Sequence, residues 1–66
     1  MNQYQHMTES STKQMFRQYK KAKKAGKGKD DVITFKGQQY VMGYMRYLLE
    51  YLGGHFPDAG VNVEEL

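Results

Sequence analysis

The sequence predicts a mainly α-helical protein with a short β element, in which two helices are joined by a basic hinge and a short strand or hairpin. Two segments with apolar residues at helical spacing, and one run of β-branched and aromatic residues between them, support this fold class. A chain of 66 residues forms a single small domain. Such a domain buries only about 60% of the surface exposed on unfolding. Disulfides cannot help because Cys is absent, so we expect homodimerisation through the second helix to complete the fold.

The first helix is predicted over about residues 12–25, after a polar and aperiodic segment, 1–10, that is typical of a flexible arm. Ser11 and Gln14 have the spacing of a capping box at its start. Its apolar residues fall on one face of a helical wheel: Met15, Phe16, Tyr19 and Ala22. Gly26 follows as a residue that commonly ends helices.

The segment between the helices should begin with an exposed hinge over residues 26–31, which contain two glycines and four charged side chains. Residues 32–35, Val-Ile-Thr-Phe, have the composition of a short strand. Lys36-Gly37 can form a turn, since glycine tolerates positive φ. Residues 38–41 fit the return strand of a hairpin and fit equally the first turn of the next helix.

The second helix is predicted over about residues 40–52 and has two stripes with 4-3-4 spacing. One stripe is formed by tyrosines, Tyr40, Tyr44, Tyr47 and Tyr51, and the other by Val41, Met45, Leu48 and Leu52. An apolar arc this wide predicts a helix that is covered on two sides, which the first helix and a short strand cannot both supply. Gly43 inside the helix costs up to about 1 kcal/mol relative to Ala, which a close approach of neighbouring backbone would explain.

The last segment, 55–66, contains the only proline and three acidic residues. We interpret it as an acidic tail that docks on the domain through Val61 and Val63. No internal repeat is evident.

Charge is distributed unevenly along the chain. Residues 1–29 contain eight of the ten Lys and Arg residues and one acidic residue. Residues 30–66 contain the other two Lys and Arg residues and six acidic residues. The formal net charge of the chain is +3. The cations of the basic half gather on one face of the first helix and continue into the hinge: Lys13, Arg17, Lys20, Lys21, Lys24 and Lys27. Such a face can neutralise nucleic-acid phosphates and release their counterions. The alternative interpretation is a solvated face that keeps a small protein soluble.

The tyrosine stripe has three interpretations. It can be the seam of a homodimer, a surface that docks on a different protein, or a platform for stacking bases. The residues predicted to form the protein or dimer interface are Tyr40, Tyr44, Met45, Tyr47, Leu48, Tyr51 and Leu52.

Several function classes are disfavoured by composition. With no Cys and two His, we expect no metal site, no catalytic residues and no cofactor. We also expect no small-molecule substrate, since so small a fold forms a large pocket with difficulty. The most apolar stretch, 40–52, is too short for a membrane span and contains Arg46 and Glu50. The N-terminal residues lack the pattern of a signal peptide, so we expect a cytoplasmic protein, in the host cytoplasm if viral.

These observations predict a small non-enzymatic protein that docks on another protein as an adaptor, inhibitor or modulator. Its size and lack of Cys would suit an accessory protein of a bacterium or bacteriophage. The alternative is a small basic nucleic-acid-binding protein that contacts phosphates through the lysine face of the first helix. The apolar excess on the second helix favours docking on a protein.

Overall fold

A computed structural model describes residues 7–66, and the first six residues, which make up most of the predicted flexible arm, lie outside the described range. The elements are helix α1 (Glu9–Lys24), strands β1 (Val32–Phe35) and β2 (Gln38–Val41), helix α2 (Met42–His55), and 3₁₀ turns at Pro57–Ala59 and Val63–Glu65. This order confirms a mainly helical fold with two helices and a short β element. The hinge and β1 lie where the sequence predicts them.

Helix α1 begins at Glu9, earlier than predicted, because Thr8 and not Ser11 caps it. The Thr8 Oγ1 accepts a hydrogen bond of 3.0 Å from the Ser11 amide. The predicted capping box at Ser11 and Gln14 is therefore wrong, since Thr8 supplies a hydroxyl three residues before Ser11 at the same spacing. Ser11 itself is buried, and its Oγ accepts a 2.8 Å hydrogen bond from Lys36 Nζ.

Replacing Thr8 with Ala should destabilise the protein by about 1 kcal/mol, because one amide at the start of α1 loses its partner. In a domain of this size the Tm should fall by about 4–8 °C in a thermal melt followed by circular dichroism. Ser10→Ala is the matched control, since Ser10 is exposed in the same turn. An equal Tm for the Thr8 variant and the control would contradict the assignment of the cap.

The hairpin is present, so residues 38–41 form the return strand and not the first turn of a helix. Strands β1 and β2 pair antiparallel, with Phe35 opposite Gln38 across a two-residue turn. Lys36 has φ 52° and Gly37 has φ 80°, the two positive angles of a type I′ turn. Because β2 extends through Val41, α2 begins at Met42, later than predicted, and it continues to His55.

The core lies between the two helices and the inner face of the hairpin. Its fully buried side chains include Met15 from α1 and Met45 and Leu49 from α2, and the hairpin adds Phe35 and Tyr40. The side chains on the outer face of the hairpin are exposed. The hairpin therefore covers the core from one side only.

The acidic tail packs on the domain, but not through both predicted valines. Ala59 and Leu66 are buried and Val61 packs against the core, whereas Val63 is 56% exposed. The Leu66 backbone oxygen accepts hydrogen bonds from the Tyr19 hydroxyl at 2.9 Å and from Lys23 Nζ at 2.8 Å. The tail thus lies against α1 and closes one end of the core.

Gly43 confirms the predicted close approach of neighbouring backbone. Its amide donates a 2.9 Å hydrogen bond to the Lys29 carbonyl. A Cβ at position 43 would lie 3.3 Å from that oxygen. The Met42 amide donates to the Asp31 carbonyl at 2.8 Å, so the hinge carbonyls satisfy the first amides of α2.

Candidate functional site

Three tyrosines of α2 lie side by side on the surface. Tyr44, Tyr47 and Tyr51 are 43%, 63% and 53% exposed. They recur at spacings of three and four and therefore share one side of the helix, with exposed His55 one turn further on. We call these four residues the tyrosine row. A monomeric protein rarely exposes so many large apolar rings together without a use for them.

The rings of the tyrosine row are partly held in place by stacking. Tyr51 stacks on His55 with ring centroids 6.2 Å apart and planes 5° apart, and the His55 and Phe56 rings form a T-shaped pair with centroids 4.7 Å apart. Tyr44 stacks on Tyr40 at 6.5 Å. Ordered rings lose less conformational entropy when a partner covers them. Tyr44 and Tyr51 are therefore held in defined positions at the surface.

Tyr40 does not belong to the exposed row, although the sequence places it in the same stripe. It lies on β2 with its side chain in the core. Burial raises the pKa of the Tyr40 hydroxyl above its usual value, and the neighbouring Tyr44 raises it further. The phenol is therefore neutral across the physiological pH range, as a buried ring near the core should be.

The second predicted stripe lies inside the domain except for Val41, which belongs to β2 and is 43% exposed. Met45, Leu48 and Leu52 are 0%, 2% and 1% exposed. In the single chain α1, the hairpin and the tail already bury these three side chains, so covering them does not require the predicted second copy. Gly53 is not among the predicted residues, and an added Cβ there would lie 3.1 Å from the Val61 Cβ. This glycine lets the tail approach α2 closely.

All six residues predicted to bind a polyanion are exposed, and the five that lie on α1 share one face of that helix. Lys20 also lies 3.4 Å from the Glu65 carboxylate and 4.4 Å from the Phe16 ring centroid, so its charge is partly compensated. Lys13, Arg17 and Lys20 surround a concavity of about 250 Å³ between α1 and the tail. The remaining members of the face are Lys21 and Lys24.

Lys27 lies apart from this face, in the hinge. Its Nζ donates a 3.1 Å hydrogen bond to the Val32 carbonyl. The structure thus divides the six predicted polyanion-binding residues into five on α1 and one in the hinge.

Residues 7–66 bring no three His, Asp or Glu side chains together where a metal ion could bind. Within that range, neither helix has the length and hydropathy needed to cross a membrane. Comparison of the chain with protein-family models, with curated proteins and with solved structures finds no match.

Proposed function

We propose that this chain is a non-enzymatic docking protein, an adaptor, inhibitor or modulator, that binds another protein through the tyrosine row. The observation that carries this proposal is the exposure of Tyr44, Tyr47 and Tyr51 on a helix whose aliphatic side chains are buried in the core. Tyrosine is among the residues most enriched in binding hot spots, because it offers a large rigid ring and a hydroxyl with few rotatable bonds.

A different protein fits the tyrosine row better than a second copy of the chain. A symmetric seam would need the aliphatic residues Met45, Leu48 and Leu52, and these already pack in the chain's own core. A stable interface buries about 800 Å² per partner, and three rings of about 150–250 Å² each cannot supply that area alone. Val32 and Val41 are both exposed and pair with each other at the open end of the hairpin, where β2 leads into α2, and they offer further apolar surface to a larger partner.

Site-specific photo-cross-linking tests this proposal. The photoreactive residue p-benzoylphenylalanine is placed at position 47 in the full chain, which is then irradiated in an extract of its source cells. The matched control places the same residue at Gln18, an exposed position on α1. We expect position 47 to give a discrete adduct with another protein, identified by mass spectrometry, and position 18 to give none.

Two outcomes would overturn the proposal. Equal adducts from positions 47 and 18 would show that capture does not depend on the tyrosine row. A product from position 47 that contains only two copies of this chain would assign the row to a homodimer seam.

Nucleic-acid binding is the second candidate, and the concavity flanked by Lys13, Arg17 and Lys20 is the observation that favours it. Cations around a groove can follow a phosphate backbone and release its counterions. Few arginines are available to read base edges, so the binding would be insensitive to sequence.

The salt dependence of binding to a labelled oligonucleotide tests this candidate. If the face contacts phosphates, Arg17→Gln with Lys21→Gln should lower the slope of log K against log salt by about two units. The control pair, Gln14→Ala with Gln18→Ala, changes two exposed neutral side chains of α1 and should leave the slope unchanged. Equal losses from both pairs, or no binding by the wild type at low salt, would exclude a phosphate site on α1.

A further inference from the structure

A second concavity, of about 260 Å³, lies between the C-terminal turns of α1, the hinge and the start of α2. Four cations line it and come from three different elements: Lys23 from α1, Lys27 and Lys29 from the hinge, and Arg46 from α2. We call this concavity the cationic pocket. It is separate from both the tyrosine row and the groove beside Lys13 and Arg17.

The positive charge of the cationic pocket is only weakly compensated. Lys23 Nζ donates to the Leu66 oxygen, and Lys27 Nζ donates to the Val32 carbonyl. Arg46 lies 3.1 Å from Glu50, in a pair exposed on both sides and therefore weak. The nearby Asp31 carboxylate accepts a hydrogen bond from the Gly28 amide and so holds the hinge in position. Anions should therefore concentrate at this pocket.

The start of α2 adds to the positive electrostatic potential of the pocket, but its Met42 and Gly43 amides are not free to donate hydrogen bonds to an anion. Met42 and Gly43 line the pocket, where the helix dipole is positive. Their amides, however, already donate to hinge carbonyls. An anion in the pocket must therefore be held by the lysine and arginine side chains.

The floor of the pocket is apolar, which restricts the kind of anion. Tyr19, Met42 and Leu66 form it, and all three are buried core residues. Leu66 is held there by its hydrogen bonds with Tyr19 and Lys23. Ligand pockets usually enclose about 300–1,000 Å³, so a space of about 260 Å³ suits a small molecule. An apolar floor beneath a cationic rim matches a molecule with a flat ring and a phosphate.

We propose that the cationic pocket binds a small aromatic phosphate, of the size of a nucleoside monophosphate. The ring lies against Tyr19, Met42 and Leu66, and the phosphate is held by Lys23, Lys27, Lys29 and Arg46. This inference goes beyond protein docking and departs from the expectation that so small a fold offers no small-molecule site.

Titration of the ¹⁵N-labelled full chain with AMP, followed by two-dimensional NMR, tests the proposal. We expect saturable shifts at the amides of Gly28, Lys29 and Gly43, with weaker binding of inorganic phosphate and no saturable binding of adenosine. Lys29→Gln with Arg46→Gln should weaken AMP binding by about tenfold or more, through the loss of charge-assisted hydrogen bonds. The control pair Lys21→Gln with Lys24→Gln removes the same charge from the outer face of α1 and should have a much smaller effect.

Three results would overturn this inference. The first is the absence of saturable shifts with AMP at millimolar concentration. The second is binding of adenosine as tight as that of AMP, which would leave the cations without a role. The third is an equal loss of AMP affinity in the pocket pair and the control pair, which would indicate general attraction to a basic chain.

Discussion

Replacing Leu48 with Glu should unfold the protein. Leu48 is 2% exposed in the hydrophobic core, and neither ion pair of the described residues involves a core side chain. An unpaired carboxylate there either stays charged in an apolar environment or takes up a proton, and both cost several kcal/mol in addition to the lost Leu contacts. Domains below about 70 residues rarely have more than 3–5 kcal/mol of stability to lose. Far-UV circular dichroism and a urea titration measure the result.

Tyr47→Glu is the control for this prediction, since it places the same carboxylate one residue earlier on α2. Tyr47 is 63% exposed, so the charge remains in water and the variant should keep its helical spectrum and nearly its wild-type Tm. If Leu48→Glu folds normally, or if both variants unfold, α2 does not bury the face described here.

Replacing Tyr44, Tyr47 and Tyr51 together with Ser should abolish binding of the protein captured at position 47. Truncation of a single hot-spot tyrosine commonly costs about 2 kcal/mol of binding free energy, so the triple variant should lose at least about a hundredfold in affinity. The fold should persist, because Ser and Tyr have similar helix propensities and the three positions are exposed. Isothermal titration calorimetry gives the affinity, and circular dichroism gives the helical content.

A second triple variant controls for the number of altered surface residues. Lys13→Gln, Arg17→Gln and Lys21→Gln change three exposed positions of α1 and leave the tyrosine row intact. Its affinity for the captured protein should stay within a few-fold of the wild type. A loss as large as that of the serine variant would place the contact on the basic face of α1.

Local sequence patterns were sufficient to predict both helices, the hinge and β1, because each depends on residues close in the chain. Local patterns could not decide whether residues 38–41 form the return strand of a hairpin or the first turn of α2. The Lys-Gly turn of the hairpin requires a positive φ at Lys36, a backbone conformation that residues other than Gly and Asn adopt with difficulty. The bond from Lys36 Nζ to Ser11 Oγ, between residues 25 positions apart, helps to hold that conformation. Such a long-range contact has no signal in a local pattern.

The same limit of local sequence patterns explains why a second chain was expected to cover α2. The sequence shows two stripes that both need cover, but it does not show that the tail returns to the core. Leu66 reaches Tyr19 across 47 residues, and Ala59 is buried beside α1. The glycine at position 53, next to Val61, is the one local sign of this packing. Once the tail covers the aliphatic stripe, Tyr44, Tyr47 and Tyr51 are the large hydrophobic side chains of α2 left at the surface, and they define the candidate site.

Hydroxyl-radical footprinting of the tyrosines, read by mass spectrometry, is the most direct test of docking through the tyrosine row. The free chain should be labelled strongly at Tyr44, Tyr47 and Tyr51, and weakly at buried Tyr19. Addition of the captured protein should protect the three exposed tyrosines and leave the labelling of exposed Lys13 and Lys21 peptides unchanged. Labelling of Tyr47 and Tyr51 that stays the same in the complex would contradict docking through this surface.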